Sequence, residues 1–236
     1  MIISCADPGP VLAERELIER LPLAAARALE LGCGTARQTR MLMGSGKFAS
    51  IVALEVDRVQ HALNLALDDL PSVCFGLGGA EAIPAPDASF DAVFLFKSLH
   101  HVPLALLDKA FAEIARVLAP GGLVYISEPV FGGDYNEILR LFHDEERVRE
   151  AAFDATRKAV ESGRLALVSQ TFFRAAVRYR SFAEFEQKVI NVTHTEHRLD
   201  CALRKQVRAS FESYRGSGGA EFAAPFRVDL LRRVQE

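Results

Sequence analysis

No two of the four cysteines (Cys5, Cys33, Cys74, Cys201) stand at C-x-x-C spacing, which argues against a structural zinc site or a disulfide framework. Long apolar runs are also missing. The candidates are interrupted by Arg27, Glu30 or Lys97, so none is long enough to span a bilayer. The opening MIISCADPGP has neither a basic region nor an extended apolar one, and predicts no secretory signal. A surplus of one charge is absent too: 28 basic and 31 acidic residues give a net charge of −3. Nothing global therefore points to nucleic acid or an anionic membrane as partner. Internal repeats and low-complexity tracts are lacking. What remains is a globular protein of a reducing compartment, expected in the cytoplasm. With 236 residues, half of them hydrophobic, it can bury one substantial core and is expected to be a single domain.

What is present is an alternation. The runs ALEL (Ala28–Leu31), SIVALEV (Ser50–Val56), VCFGL (Val73–Leu77), DAVFLF (Asp91–Phe96) and LVYIS (Leu123–Ser127) carry little polar alternation. Strands buried on both faces of a parallel sheet read this way. Helical patterns lie between them at Ala36–Met43, Arg58–Leu67 and Leu104–Leu118, the last stopping at APGG. Strand–helix alternation predicts right-handed βαβ units and a doubly wound sheet. Beyond Val130 the pattern predicts one long helix from about Asn136 to Ser162 and a strand at Gln170–Arg180. Ser181 is expected to cap a helix, and another follows from about His197 to Tyr214. A last strand is expected in FRVDLLRR. This half reads as the end of the sheet and its covering helices, not as a second domain.

Ligands of open α/β sheets bind beyond the carboxyl ends of the strands. The first such end is LELGCGTA, where Gly32 and Gly34 allow a tight turn and close approach of a ligand. The third glycine of the dinucleotide fingerprint is replaced by Arg37, which lowers the nicotinamide reading. Glu55 ends the second run, 21 positions after Gly34, where a carboxylate can accept from both hydroxyls of a ribose. Asp57 is the rival acid. Glu55 could equally cap a strand end in solvent, but with Glu30, Gly32 and Gly34 it favours nucleoside binding.

The segments LELGCGTA, ALEVD, GGAEAIPAPDASFDAVFLFKSLHHVP and EIARVLAPGGLVYISEP resemble, in order and spacing, the signatures of class I S-adenosylmethionine-dependent methyltransferases, and among them the ubiquinone/menaquinone-biosynthesis subgroup. The resemblance covers about Ala26 to Val130. It implies an α/β fold: a Rossmann-like, doubly wound, mostly parallel seven-stranded sheet with an antiparallel last strand and helices on both faces. Residues 1–25 would form a helical cover, 26–130 the cofactor-binding core, and 131–236 the substrate-side helices and final strands. S-adenosyl-L-methionine is the implied cofactor. Glu30, Gly32 and Gly34 would lie beside its methionine end, Glu55 would hold the ribose, and Val56 would pack on the adenine. The backbone at Phe96 would face the transferring methyl. Relatives usually carry G-D-A-E where this chain reads GGAE, so Gly79 departs from the pattern and Ala80, Glu81 or a backbone carbonyl would take over adenine recognition.

FKSLHHVP would then border the reaction. His100 and His101 are candidates for one base and one structural partner; adjacent histidines point apart and have no evident third ligand, so metal independence is expected. Lys97 either snorkels or pairs with Glu128, or it holds an anionic substrate group near the methyl donor. His143 shares a helical face with Tyr135 and Leu139 that could cover the substrate, though plain packing explains that stripe as well. NVTHTEHR, with His194, Glu196 and His197, reads as loop histidines, and HDEERVRE as a solvated face with i,i+4 pairs. The arginines of RAAVRYR could meet an anionic substrate or simply protect a sheet edge. The expected function is methyl transfer to a small-molecule acceptor, by a monomer or homodimer, with no nucleic acid or membrane partner. The competing readings are a tRNA or protein methyltransferase, and a non-methylating protein that keeps the cofactor fold.

Overall fold

The computed structural model describes residues 1–192 and 197–234. Five parallel strands form its centre: β1 (Ala26–Leu31), β2 (Phe48–Glu55), β3 (Val73–Leu77), β4 (Phe90–Phe96) and β5 (Leu118–Pro129). Two long strands, β6 (Leu165–Tyr179) and β8 (Gly219–Arg233), complete the path, and the two-residue β7 (Arg215–Gly216) pairs with β8. The order is β3-β2-β1-β4-β5-β8-β6, with β8 antiparallel to both neighbours. This is the mostly parallel, doubly wound sheet that the alternation predicts.

Period-two alternation sorts the strand residues onto two faces. Leu29, Leu31, Val93 and Leu95 join one core with α4 (Leu107–Val117) and α6 (Glu146–Glu161). Ala28, Phe94, Phe96 and Tyr125 build the other with α1 (Glu14–Glu19) and α2 (Arg37–Gly44). The helix α3 (Arg58–Leu65) is capped by Asp57, whose carboxylate accepts from the Val59 and Gln60 amides.

The second half departs from the sequence reading in two places. The long helix expected over Asn136–Ser162 is broken into α5 (Asp134–Leu139) and α6. Local side-chain chemistry competes with the helix there: Asp144 accepts from the Glu146 amide at 3.1 Å. The break turns Glu145 inward. The two last strands are also longer than expected, since they pair from Leu165↔Arg233 to Tyr179↔Ala220 with one register shift between Leu167 and Ser169. Their far end carries α7 (Phe182–Phe185, capped by Ser181) and α8 (Cys201–Glu212) over a third cluster that includes Tyr179, Phe185, Phe211 and Phe222. On the β6 edge, Arg174 donates to the Gly9 carbonyl and Arg178 pairs with Glu221. Among the described residues, no helix is long and apolar enough to cross a membrane.

Ala36 opens α2 in the left-handed region (φ 58°) and is fully buried. A Cβ costs roughly 1–2 kcal/mol in that conformation, partly offset by the greater chain entropy of glycine. Ala36→Gly is therefore expected to stabilise the fold by about 1 kcal/mol and raise Tm by roughly 2–4 °C. A thermal melt checks it, and a lower Tm would show that the left-handed turn carries no strain.

Candidate active site

Beyond β1 the chain turns through Gly32 (φ 75°) and Gly34 (φ 50°), with the Gly32 and Cys33 amides both donating to the Leu54 carbonyl. A Cβ at Gly32 would lie 2.7 Å from the Cβ of Ser98, so only glycine fits without displacing that residue. Ser98 Oγ donates to the Leu31 carbonyl at 2.7 Å and ties the end of β4 to this loop. Glu55 is buried and accepts from the amides of Gly34 (2.7 Å), Val56 (2.8 Å) and Asp57 (2.9 Å). It thus holds the glycine turn and the start of the β2–α3 turn together. Val56 beside it is 65% exposed, an apolar surface at the strand end. Asp57, the rival acid, is engaged in capping α3.

Glu30 is fully buried and accepts from Thr39 Oγ1 at 2.6 Å. Burial pushes its carboxyl up to about 8; the Thr39 hydroxyl opposes the rise and the charge of Glu55 adds to it. The same burial, with both acids nearby, pushes the Cys33 thiol up to about 12, so Cys33 is no nucleophile at neutral pH. Past β3, the Gly78 amide donates to the Glu55 carbonyl, and Gly79, Ala80 and Glu81 form a turn closed by the Ala82 amide on the Gly79 carbonyl.

At the end of β4, Phe96 stays in the aromatic cluster with Phe94 and Tyr125 while its backbone reaches the strand end. Lys97 takes a left-handed conformation (φ 55°) that a lysine rarely adopts, with its amide on the Ser127 carbonyl. The side chain reaches solvent, yet burial around it lowers its pKa. Glu14 and Glu128 oppose that lowering and Arg37 reinforces it. Of the alternatives for Lys97, an ion pair with Glu128 is not formed among the described residues. Glu128 instead accepts from the Leu99 amide and from His100 Nδ1.

His100 sits on the short 3₁₀ turn Leu99–His101 and is buried. Its other nitrogen faces Glu145 at 3.5 Å. Burial disfavours the charged ring, but Glu128 and then Glu145 outweigh it and push its pKa up to about 9. Glu145 also accepts from His143 Nε2 at 2.8 Å and from Arg149 at 2.6 Å, and is held well below the usual carboxylate range. Arg149 reaches on to Asn136 Oδ1. HDEERVRE is thus not wholly a solvated face, because Glu145 and Arg149 form a buried i,i+4 pair. Nothing in their spacing distinguishes them from solvated neighbours; only the break before α6 turns them inward.

The network also supplies the third ligand that the sequence reading lacked: atoms of His100, His101 and Glu145 lie within 4.8 Å of one another. Both nitrogens of His100, however, already face carboxylates. His101 is exposed, its ring 4.1 Å from that of His100. His143 leaves the helix and stacks edge-on with His197. Tyr135 and Leu139 pack into the third cluster, with Tyr135 hydrogen-bonded to Tyr179. His194 and Glu196 lie outside the described residues.

Beyond the end of β5 lies a cavity of about 500 Å³ lined by Pro8, Phe131, Phe172, Pro225, Asp134 and Arg174, among others. It does not include the glycine turn, from which β4 and β5 separate it.

Residues 29–126, the stretch holding the glycine turn, Glu55 and Lys97, match the family described as a methyltransferase domain. The core of the chain is similar to that family. Relatives carry the same name. An uncharacterized methyltransferase of Mycobacterium tuberculosis is 42% identical over 102 residues, covering 43% of this chain and 39% of that one. The 27-O-demethylrifamycin SV methyltransferase of Amycolatopsis mediterranei is 33% identical over 169 residues, covering 67% and 54%. The chain thus spans about half, or less, of the curated relatives it matches. The fold likeness is broader: the YcgJ protein of Bacillus subtilis superposes with a TM-score of 0.65 at 18% identity, over 94% of this chain and 97% of that one. A putative methyltransferase from Bacillus halodurans gives 0.63 at 16%, over 94% and 98%.

Proposed function

We propose that the chain is an S-adenosylmethionine-dependent methyltransferase that acts on a compact small-molecule acceptor by in-line transfer. The observation that carries the reading is the Glu55 carboxylate clasping Gly34, with an exposed apolar Val56 on one side and the buried acid Glu30 on the other. An acid at a strand end, a glycine turn and an apolar shelf fit a charged nucleoside. Glu55 would hold the ribose, Val56 the base, and Glu30 with Gly32 and Gly34 the amino-acid end. When bound, S-adenosylmethionine supplies a methyl group already activated on a sulfonium.

The task left to this chain is alignment, which can lower a barrier by on the order of 7–11 kcal/mol. Lys97 and the backbone at Phe96 border the place where the acceptor would meet the methyl. The Lys97 ammonium makes no hydrogen bond or ion pair among the described residues and can hold an anionic acceptor group. His100, charged between two carboxylates, is no base at neutral pH, so the candidate base is the exposed His101. His143 is engaged with Glu145. The cavity beyond β5 falls within the range of small-ligand sites, roughly 300–1,000 Å³, and suits part of a compact acceptor better than a polymer.

Calorimetric titration with S-adenosylmethionine and S-adenosylhomocysteine tests the cofactor, and a turnover assay tests the transfer. Absence of binding by both compounds would remove the reading. Lys97→Met is expected to leave cofactor affinity within about threefold while turnover of an anionic acceptor falls at least tenfold; unchanged kinetics would take the lysine out of the mechanism.

A further inference from the structure

We infer that the cavity beyond β5 is a binding site for a carboxylate carried on a flat apolar body, with the Arg174 guanidinium as the group that takes the carboxylate. The cavity holds about 500 Å³, ample for such a molecule. Its lining divides by chemistry. Pro8, Phe131, Phe172 and Pro225 offer flat faces on which a ring can stack. Among the described residues that line it, Arg174 alone is cationic.

The three arginines at this end of β6 are used differently. Arg178 pairs with Glu221 and Arg180 with Glu184, while Arg174 has no acidic partner among the described residues. Its Nε donates to the Gly9 carbonyl at 2.8 Å. Its backbone is held as well, the amide donating to the Pro10 carbonyl and the carbonyl accepting from the Leu12 amide. Gly9 stands in the left-handed region (φ 81°), and a Cβ there would lie 2.5 Å from the Phe172 carbonyl oxygen. The N-terminal segment therefore presses directly on β6 and clamps one edge of the guanidinium.

The two terminal amino groups of Arg174 make no hydrogen bond or ion pair among the described residues. Two parallel N–H groups on a planar fork match the two oxygens of a carboxylate. A carboxamide of the same shape offers one oxygen and sets its own donors against the fork, so it pairs with half of it. Asp134, the acid of the lining, is exposed, and water screens its charge. Under the proposed methyl transfer, which only this last step assumes, the same chemistry describes the acceptor: an apolar ring that bears a carboxylate.

The test titrates benzoate and benzamide, anionic and neutral molecules of one shape, into the full chain and follows them by ligand-observed NMR. Wild-type protein is expected to prefer benzoate by at least about tenfold, the scale of one charge-assisted hydrogen bond. Arg174→Gln should lose that preference and leave benzamide affinity within twofold. Because this variant also alters the Gly9 contact, Ala223→Phe supplies an independent arm: Ala223 is exposed and lines the cavity, and a ring there fills it. It should weaken both compounds at least tenfold with Arg174 intact. No preference in wild type, a preference that survives Arg174→Gln, or benzoate affinity unchanged by Ala223→Phe overturns the assignment. S-adenosylhomocysteine titrated into the same wild-type protein keeps the two readings apart. Its failure to bind beside normal benzoate binding overturns the cofactor reading and leaves the carboxylate site standing.

Discussion

Replacing Glu55 by alanine should weaken S-adenosylhomocysteine binding at least a hundredfold, the largest loss expected from any single side chain at the candidate site. Two effects combine. Charge-assisted hydrogen bonds to the proposed ribose are worth roughly 1.5–3 kcal/mol each, and with three of the carboxylate's roughly four acceptor positions already taken by amides, one such bond disappears. The three amides of Gly34, Val56 and Asp57 also lose their common acceptor, so the glycine turn is no longer held against the end of β2. Glu55→Gln separates the two effects. It keeps a neutral acceptor for the turn and loses the charge, and should fall between wild type and alanine. Titration calorimetry with melting curves for all three proteins is the check. An alanine variant with affinity within threefold of wild type would show that Glu55 merely finishes a strand.

His100→Ala should be the most destabilising change among the polar residues near the site. It removes the cation between two buried carboxylates, and breaking a buried pair from one side costs about 3–5 kcal/mol. For a domain of this size that corresponds to a fall in Tm of roughly 10 °C. The pH dependence carries a second signature. The pKa of His100 is raised in the fold, from the ordinary 6.5 to about 9, so protonated His100 stabilises the folded state. That contribution is fully present below about 6.5 and is lost as pH rises through about 9. Wild type should therefore lose stability along an alkaline limb between these values, and His100→Ala should show a flatter one. Denaturant titrations at pH 6, 7.5 and 9 would decide. A variant with the same alkaline slope as wild type would exclude His100 as the group responsible. Because Glu145 and Arg149 open α6, the same loss should loosen the α5–α6 segment first.

The parallel half of this molecule was readable because burial on both faces leaves uninterrupted apolar runs. Val73–Leu77 starts and stops in the structure where its run does. Glu55 was findable because it follows such a run directly, at the end of the sheet where ligands bind. The polar network was not. His100 is conspicuous as a letter, but Glu145 and Arg149 sit in a segment whose charge pattern matches any solvated helix. What buries them is a helix break set by Asp144, a local competition that hydrophobic periodicity does not register. The length of the β6–β8 ribbon was hidden for a related reason. Its outer half is polar on one side and, apart from the two-residue β7 and a bridge from Val11 to Arg174, pairs only with itself, so no buried run marks where it begins. Gly79 reads as a gap in a motif, and in the structure the Glu81 carboxylate folds back over its backbone.

The two raised pKa values at Glu30 and His100 also change what the whole molecule presents to its surroundings. The formal charge of −3 assumes that every carboxyl is ionised and every histidine neutral at pH 7. With pKa values of about 8 and about 9, both groups hold their protons at that pH. Each moves the folded chain by one positive charge relative to that formal count. Colloidal repulsion near neutrality is then weaker than the formal count implies. The protein should be handled most easily where one of those protons has left, in mildly alkaline buffer, which is also where the buried histidine pair begins to let go.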